Sequence, residues 1–235
     1  MRYFTAQLKK SLQLLIAVCS IALAGLPLPA SAFVLQTANN TSGNQGYSGV
    51  GVRFTVNSSI DVSQLGIYDS GQDGISAGTT LWASLFSANT WPTGGILLAS
   101  QSFTSASPGT LSADYLFKAI TPLTLLPGDY VLAGYGWVLA SDPENNCIIS
   151  GACETFNNGL GLLTYFGSVY GGGTDAPTVM PYQASPGNPN YFSAANMVFA
   201  ATAPAAPGPA PEPATLALLG IGLAGLGFGR RKLQA

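Results

Sequence analysis

An all-β fold, an antiparallel β-sandwich of jelly-roll-like form, is predicted for residues 33–203 by three observations. Apolar residues alternate with polar or small ones along short runs, Gly, Pro and Asn cut the chain at short intervals, and the Glu, Lys and Arg that coat exposed helices are scarce. In the first run, Val50, Val52, Phe54 and Val56 point one way and Gly51, Arg53 and Thr55 the other, as a half-buried strand requires. Past a turn at Asn57-Ser58-Ser59, residues 62–69 form the next strand, with Leu65 and Ile67 as core positions. Further strands are predicted at 79–88, 95–104, 114–120, 123–126, 129–138 and 193–202. Pro127-Gly128-Asp129 reads as a tight hairpin turn between the runs on either side. Short strands separated by turns suit two packed antiparallel sheets. Residues 141–190 break the rhythm with Gly171-Gly172-Gly173 and prolines at 177, 181, 186 and 189, so one or two strands, 161–170 the best of them, are expected inside long loops.

Residues 1–32 have the parts of a secretory signal helix. Arg2, Lys9 and Lys10 precede an apolar run from Leu12 to Leu26, and Ala30-Ser31-Ala32 follows. Small residues at Ala30 and Ala32 fit a signal-peptidase site and leave Phe33 as the mature N-terminus. A retained anchor is the alternative, but the run is short and ends at Pro27 and Pro29. Six of the eight basic residues lie in the two end segments. Between 33 and 203, two basic residues stand against nine acidic ones, a net of −7, which excludes a nucleic-acid partner. Cys19 leaves with the signal, and Cys147 and Cys153 read as a disulfide closing a short loop in an exported protein. As a metal pair they would lack soft partners, because the chain has no histidine.

Residues 204–213, PAAPGPAPEP, hold five prolines and form an extended linker ending in Pro211-Glu212-Pro213. Residues 214–235 form the C-terminal transmembrane segment with its basic tail. The 16 uncharged residues from Ala214 to Gly229 span roughly 24 Å as a helix, short of the roughly 30 Å hydrocarbon core. Arg230, Arg231 and Lys232 would stay on the cytoplasmic side as a basic stop. A span this short suits temporary residence in the membrane, as in a GPI signal.

Pro211-Glu212-Pro213, the Gly- and Leu-rich span and Arg230-Arg231-Lys232, in that order, resemble the PEP-CTERM sorting signal of Gram-negative bacteria. The resemblance implies recognition by exosortase, a membrane-embedded cysteine protease or transpeptidase, with cleavage at or near the Pro-Glu-Pro motif. It also implies an exported protein, held transiently in the inner membrane and then placed at the cell surface or in an extracellular matrix with polysaccharide and biofilm. Residues 46–137 resemble a β-sandwich domain recurrent in such proteins, from which no activity transfers.

Candidate sites in residues 33–203 each have a plain structural reading beside the functional one. Asp69 and Asp73, with Gly74, occupy positions one, five and six of a calcium loop, but Gly71 at three and Thr80 at twelve depart from it. Asp and Gly are also what any tight strand connection selects. No cofactor is expected beyond that calcium. Trp91, in the turn ANTWPTGG, is a candidate for stacking on a sugar ring, whereas Trp82 reads as packing. The lack of histidine removes the commonest general base, so no enzyme is expected; Asp69, Asp73, Asp114 and Asp129 are the carboxylates left to a glycosidase. The expected function is a surface or matrix protein with a structural or adhesive role, processed by signal peptidase and exosortase. A carbohydrate-binding module is the alternative.

Overall fold

Period-two alternation becomes paired strands throughout the computed structural model, which describes residues 31–38, 43–47, 49–146, 154–171, 177–184 and 192–203. The strands are β1 (Phe33–Val34), β2 (Gln36–Ala38), β3 (Val50–Val56), β4 (Ile60–Tyr68), β5 (Thr80–Ser87), β6 (Ile96–Thr104), β7 (Thr110–Ser112) and β8 (Tyr115–Leu125). They continue with β9 (Gly128–Tyr135), β10 (Asn145–Asn146), β11 (Glu154–Phe156), β12 (Leu163–Tyr170), β13 (Gln183–Ala184), β14 (Phe192–Ser193) and β15 (Ala195–Ala201). One sheet runs β1-β15-β4-β8-β7 and the other β13-β12-β3-β9-β5-β6; β10-β14 and β11-β2 form two short ribbons. Every pairing between named strands is antiparallel.

The core lies between the two sheets. Val50, Val52, Phe54 and Val56 of β3 are buried against Ile60, Val62, Leu65 and Ile67 of β4, together with Leu81, Leu85, Leu132, Met197 and Phe199. In β4 the buried phase changes between Val62 and Leu65. Both neighbours of β4 skip Ser63 in their register, so a bulge there absorbs the change and keeps both halves facing inward. Burying each large apolar side chain contributes roughly 1.5–3 kcal/mol, which offsets the entropy of ordering these strands.

A second apolar cluster covers the other face of the six-stranded sheet. β9 shows how: Tyr130 and Leu132 join the main core, while Val131, Ala133 and Tyr135 join Phe86, Val169 and Met180 outside it. The segment bearing Met180 crosses this face, and the Tyr135 hydroxyl donates to the Val179 carbonyl at 2.6 Å. Trp82 packs on this cluster, whereas Leu81 beside it enters the main core.

One expectation needs correction. Pro127-Gly128-Asp129 does not close a hairpin: β8 lies in the five-stranded sheet and β9 in the six-stranded one, so the turn carries the chain between sheets. The strand order β1-β15-β4-β8 facing β3-β9-β5-β6 agrees with the expected jelly-roll-like form, with β12 and β13 added at the β3 edge. The stretch expected to be loop-rich contributes β12 to the main sheet and pairs β10, β11 and β13 in short ladders.

The chain divides into two units, Met1–Thr202 and Ala203–Ala235. The expected signal helix and the expected C-terminal membrane helix lie outside the described residues. Among the described residues, no helix is long and apolar enough to cross a membrane.

Candidate functional site

Asp69 directly follows β4 and opens the candidate calcium loop. Gly71 and Gly74 adopt φ of 82° and 87°, which glycine accepts because it has no Cβ. This bend turns the Gly74 N–H back onto the buried Asp69 carboxylate, which accepts it at 3.2 and 3.1 Å. Burial raises the Asp69 pKa, the Gly74 N–H pulls it back, and Asp73 and Asp142 push it up again. Asp73 is exposed. Among the described residues no three acidic, His or Cys side chains are grouped so as to hold a metal. The Asp69 carboxylate is already engaged by the backbone of its own loop, five residues on.

Around this loop the structure gathers Asp114 and three acids that sequence reasoning did not single out, Asp142, Glu144 and Glu154. The Asp69 N–H donates to the Asp114 carbonyl at 2.9 Å, and the Gln72 side-chain amide to Asp114 Oδ1 at 2.7 Å. The Ser76 N–H donates to Asp142 Oδ1 at 2.9 Å. Glu144 is fully buried where its backbone pairs with Gln45, and among the described residues neither carboxyl oxygen has a hydrogen-bond partner. Burial pushes its pKa up to about 9. Glu154 is held up at about 8, chiefly by burial, while the hydroxyls of Ser193 and Tyr115 work in the other direction. The Tyr115 hydroxyl donates to Glu154 Oε1 at 2.5 Å. The phenols of Tyr68 and Tyr115 are raised first by burial and then by these acids. Six of the eight acids among the described residues therefore lie at this end of the sandwich. In the sequence, Glu144 sits among polar turn residues and Glu154 between Cys153 and Thr155, and nothing local marks either as buried.

Trp91 belongs to a different group, on the outer face of the six-stranded sheet. The Arg53 guanidinium lies 4.7 Å from the Trp91 ring centroid and 4.8 Å from that of Phe166. Arg53 comes from an outward position of β3, and Phe166 is the residue skipped by the β12 bulge. Arg53 Nη2 donates to Asp129 Oδ2 at 2.8 Å, and the Thr55 hydroxyl donates to Asp129 Oδ1 at 2.5 Å. Burial opposes ionisation of Asp129, but the Thr55 hydrogen bond and the Arg53 charge outweigh it and hold the pKa below the ordinary value. Trp91 is half-buried with its indole nitrogen enclosed, whereas Phe166 is 56% exposed. The ring free to meet a ligand here is Phe166. Only the bulge, which the sequence does not announce, puts it beside Arg53.

Of the glycosidase carboxylates, Asp69 and Asp114 are neighbours, while Asp129 lies at the opposite end of the strands, paired with Arg53. Ala32 is exposed and Phe33 pairs with Phe199. Ala30, Cys147, Cys153, Pro211, Glu212, Pro213, Arg230, Arg231 and Lys232 lie outside the described residues.

Residues 209–232 match the PEP-CTERM protein-sorting motif. The match spans Pro211-Glu212-Pro213 and Arg230-Arg231-Lys232. No curated protein matches the chain at a significant level. The chain therefore carries an export-linked sorting signal of the kind that exosortase processes, behind an all-β domain.

Proposed function

We propose that the protein is a structural or adhesive component of the cell surface or extracellular matrix, associated with extracellular polysaccharide. The sorting motif at 209–232 carries this reading, because it directs the β-sandwich to the compartment where such polymers lie. The second reading is a carbohydrate-binding module. The group of Arg53, Asp129, Trp91 and Phe166 favours it, since a sugar needs an apolar ring to stack on and fixed polar groups for its hydroxyls.

Co-sedimentation of the exported protein with insoluble polysaccharide from its own host tests both. Wild type is expected to pellet with the polymer, and a protein that stays in the supernatant at polymer excess overturns the matrix role. If the aromatic group is the contact, Phe166→Ala weakens retention by about three- to ten-fold, the loss expected from one stacked ring. Trp91→Ala weakens it as well, by freeing Arg53. Retention unchanged in both variants leaves the matrix role standing and removes the binding-module reading.

A further inference from the structure

Phe166 stands beside a row of polar side chains that three strands build together. Thr164 of β12 lies opposite Thr55 of β3, and Thr55 lies opposite Asp129 of β9, so the three share one face of the sheet. At a strand spacing of about 4.8 Å the row is roughly 10 Å long, enough for a length of polymer rather than a single ring. Its groups are fixed before a ligand arrives. Asn57 Nδ2 donates to Thr164 Oγ1 at 3.0 Å and to the Gly161 carbonyl at 2.9 Å, and both Asn57 and Thr164 stay exposed. Asp129 is held at one carboxylate oxygen by Thr55 and at the other by Arg53, and its N–H donates to Asn89 Oδ1 at 3.0 Å. Those two bonds use about half of the roughly four acceptor positions of a carboxylate, and its side chain is 28% exposed, which leaves room to accept an incoming hydroxyl.

The row carries no uncompensated charge. Residues 33–203 contain two basic side chains, Arg53 and Lys118, and no histidine. Arg53 is neutralised by Asp129 and lies over the Trp91 and Phe166 rings. Lys118 belongs to β8 of the other sheet, where its Nζ donates to the Ser102 carbonyl at 2.5 Å and lies 5.0 Å from the Phe103 ring centroid. An anionic sugar stacked on Phe166 would bring its charge to the Asp129 carboxylate as well as to Arg53, since the two are 2.8 Å apart. No second cation could then offset the hydration it gives up. A cationic sugar fares no better, because the Asp129 charge is already taken by Arg53. An uncharged sugar keeps every favourable contact: its C–H face stacks on Phe166, and its hydroxyls meet Thr164, Asn57 and Asp129.

We propose that this site takes an uncharged polysaccharide, laid across β12, β3 and β9, and turns away polymers rich in uronate, sulfate or phosphate. The inference rests on the binding-module reading above and adds to it the class of polymer. Thr164, exposed and two residues before Phe166 on the same strand, is the position at which that choice can be changed.

The test uses polysaccharide from the protein's own host, split by anion exchange into an uncharged and an acidic pool. Each pool is titrated into the exported, tail-processed protein by isothermal calorimetry at about 20 and about 500 mM salt. Wild type is expected to bind the uncharged pool with an affinity that salt changes by less than about two-fold, and the acidic pool at least about ten-fold more weakly. Thr164→Lys puts a cation beside the ring at an exposed position. It should raise affinity for the acidic pool by about three-fold or more, at low salt only, with far-UV circular dichroism unchanged. A wild type that prefers the acidic pool or binds both equally overturns the inference and leaves the binding module standing, and so does a Thr164→Lys variant that gains nothing at low salt. Heat from neither pool overturns the binding-module reading and this inference with it.

Discussion

At the end of the sandwich where β4 and β9 finish, Asp69, Asp114, Asp142, Glu144 and Glu154 are buried. At the other end Asp61 and Asp129 are partly exposed, the first accepting from the Thr124 hydroxyl at 2.6 Å and the second paired with Arg53. Burial dominates at the first end and raises Glu144 and Glu154; donors dominate at Asp129 and lower it. Ionisation in this low-charge domain is opposed by burial at the first end, even at Asp69 with its Gly74 donor, and favoured at the second by Thr55 and Arg53. Arg53 and Lys118 are the basic residues of 33–203, and Arg53 serves the exposed end.

The largest expected effect is on the pH dependence of stability. Below the ordinary carboxyl value of about 4.5, folded and unfolded chains both keep the Glu144 proton. Above it the unfolded chain releases that proton while the folded one retains it up to about 9, so stability falls as pH rises through this window. Each fully retained proton costs about 1.4 kcal/mol per pH unit, and Glu154 adds to the slope up to about 8. Thermal unfolding is expected at a higher temperature at pH 5 than at pH 8, and Glu144→Gln should flatten the difference. A wild type most stable at pH 8 would break the contrast between the two ends.

Tyr115→Phe sharpens it further. The change removes a buried donor from Glu154 and should cost about 1–3 kcal/mol in denaturant unfolding. The cost should be larger at pH 8 than at pH 5, because the lost bond favours the ionised carboxylate. An equal cost at both values would mean that the hydroxyl contributes packing alone.

The smallest effect belongs to the exposed end. Arg53→Ala removes an ion pair whose side chains are 23% and 28% exposed, together with two ring contacts, and should cost about 1 kcal/mol, reduced by salt. Asp129, with its lowered pKa, contributes stability above its unfolded value that is lost as pH falls through the folded one. Arg53→Ala should therefore weaken the acid-side loss, opposite in sign to the slope set by Glu144. A steeper acid limb in the variant would contradict the assignment of Arg53 as the group stabilising ionised Asp129.

The sequence by itself determined the parts that near neighbours encode. The inward set of β3 followed from period two, and so did Leu65 and Ile67 as buried positions of β4. The tail could be read because its three parts are contiguous in composition and order. Tertiary structure alone decided the rest. Pro127-Gly128-Asp129 has turn chemistry whether its flanking strands pair or part, and only the sheet order makes it a crossing. Glu144 and Glu154 carry no local mark of burial until distant segments cover them. Arg53, Trp91 and Phe166 meet because β3 and β12 pair across a bulge and the turn after β5 returns to the same face. Backbone conformation is set over a few residues, whereas burial and side-chain company depend on which distant strands arrive alongside, and that is a property of the whole fold.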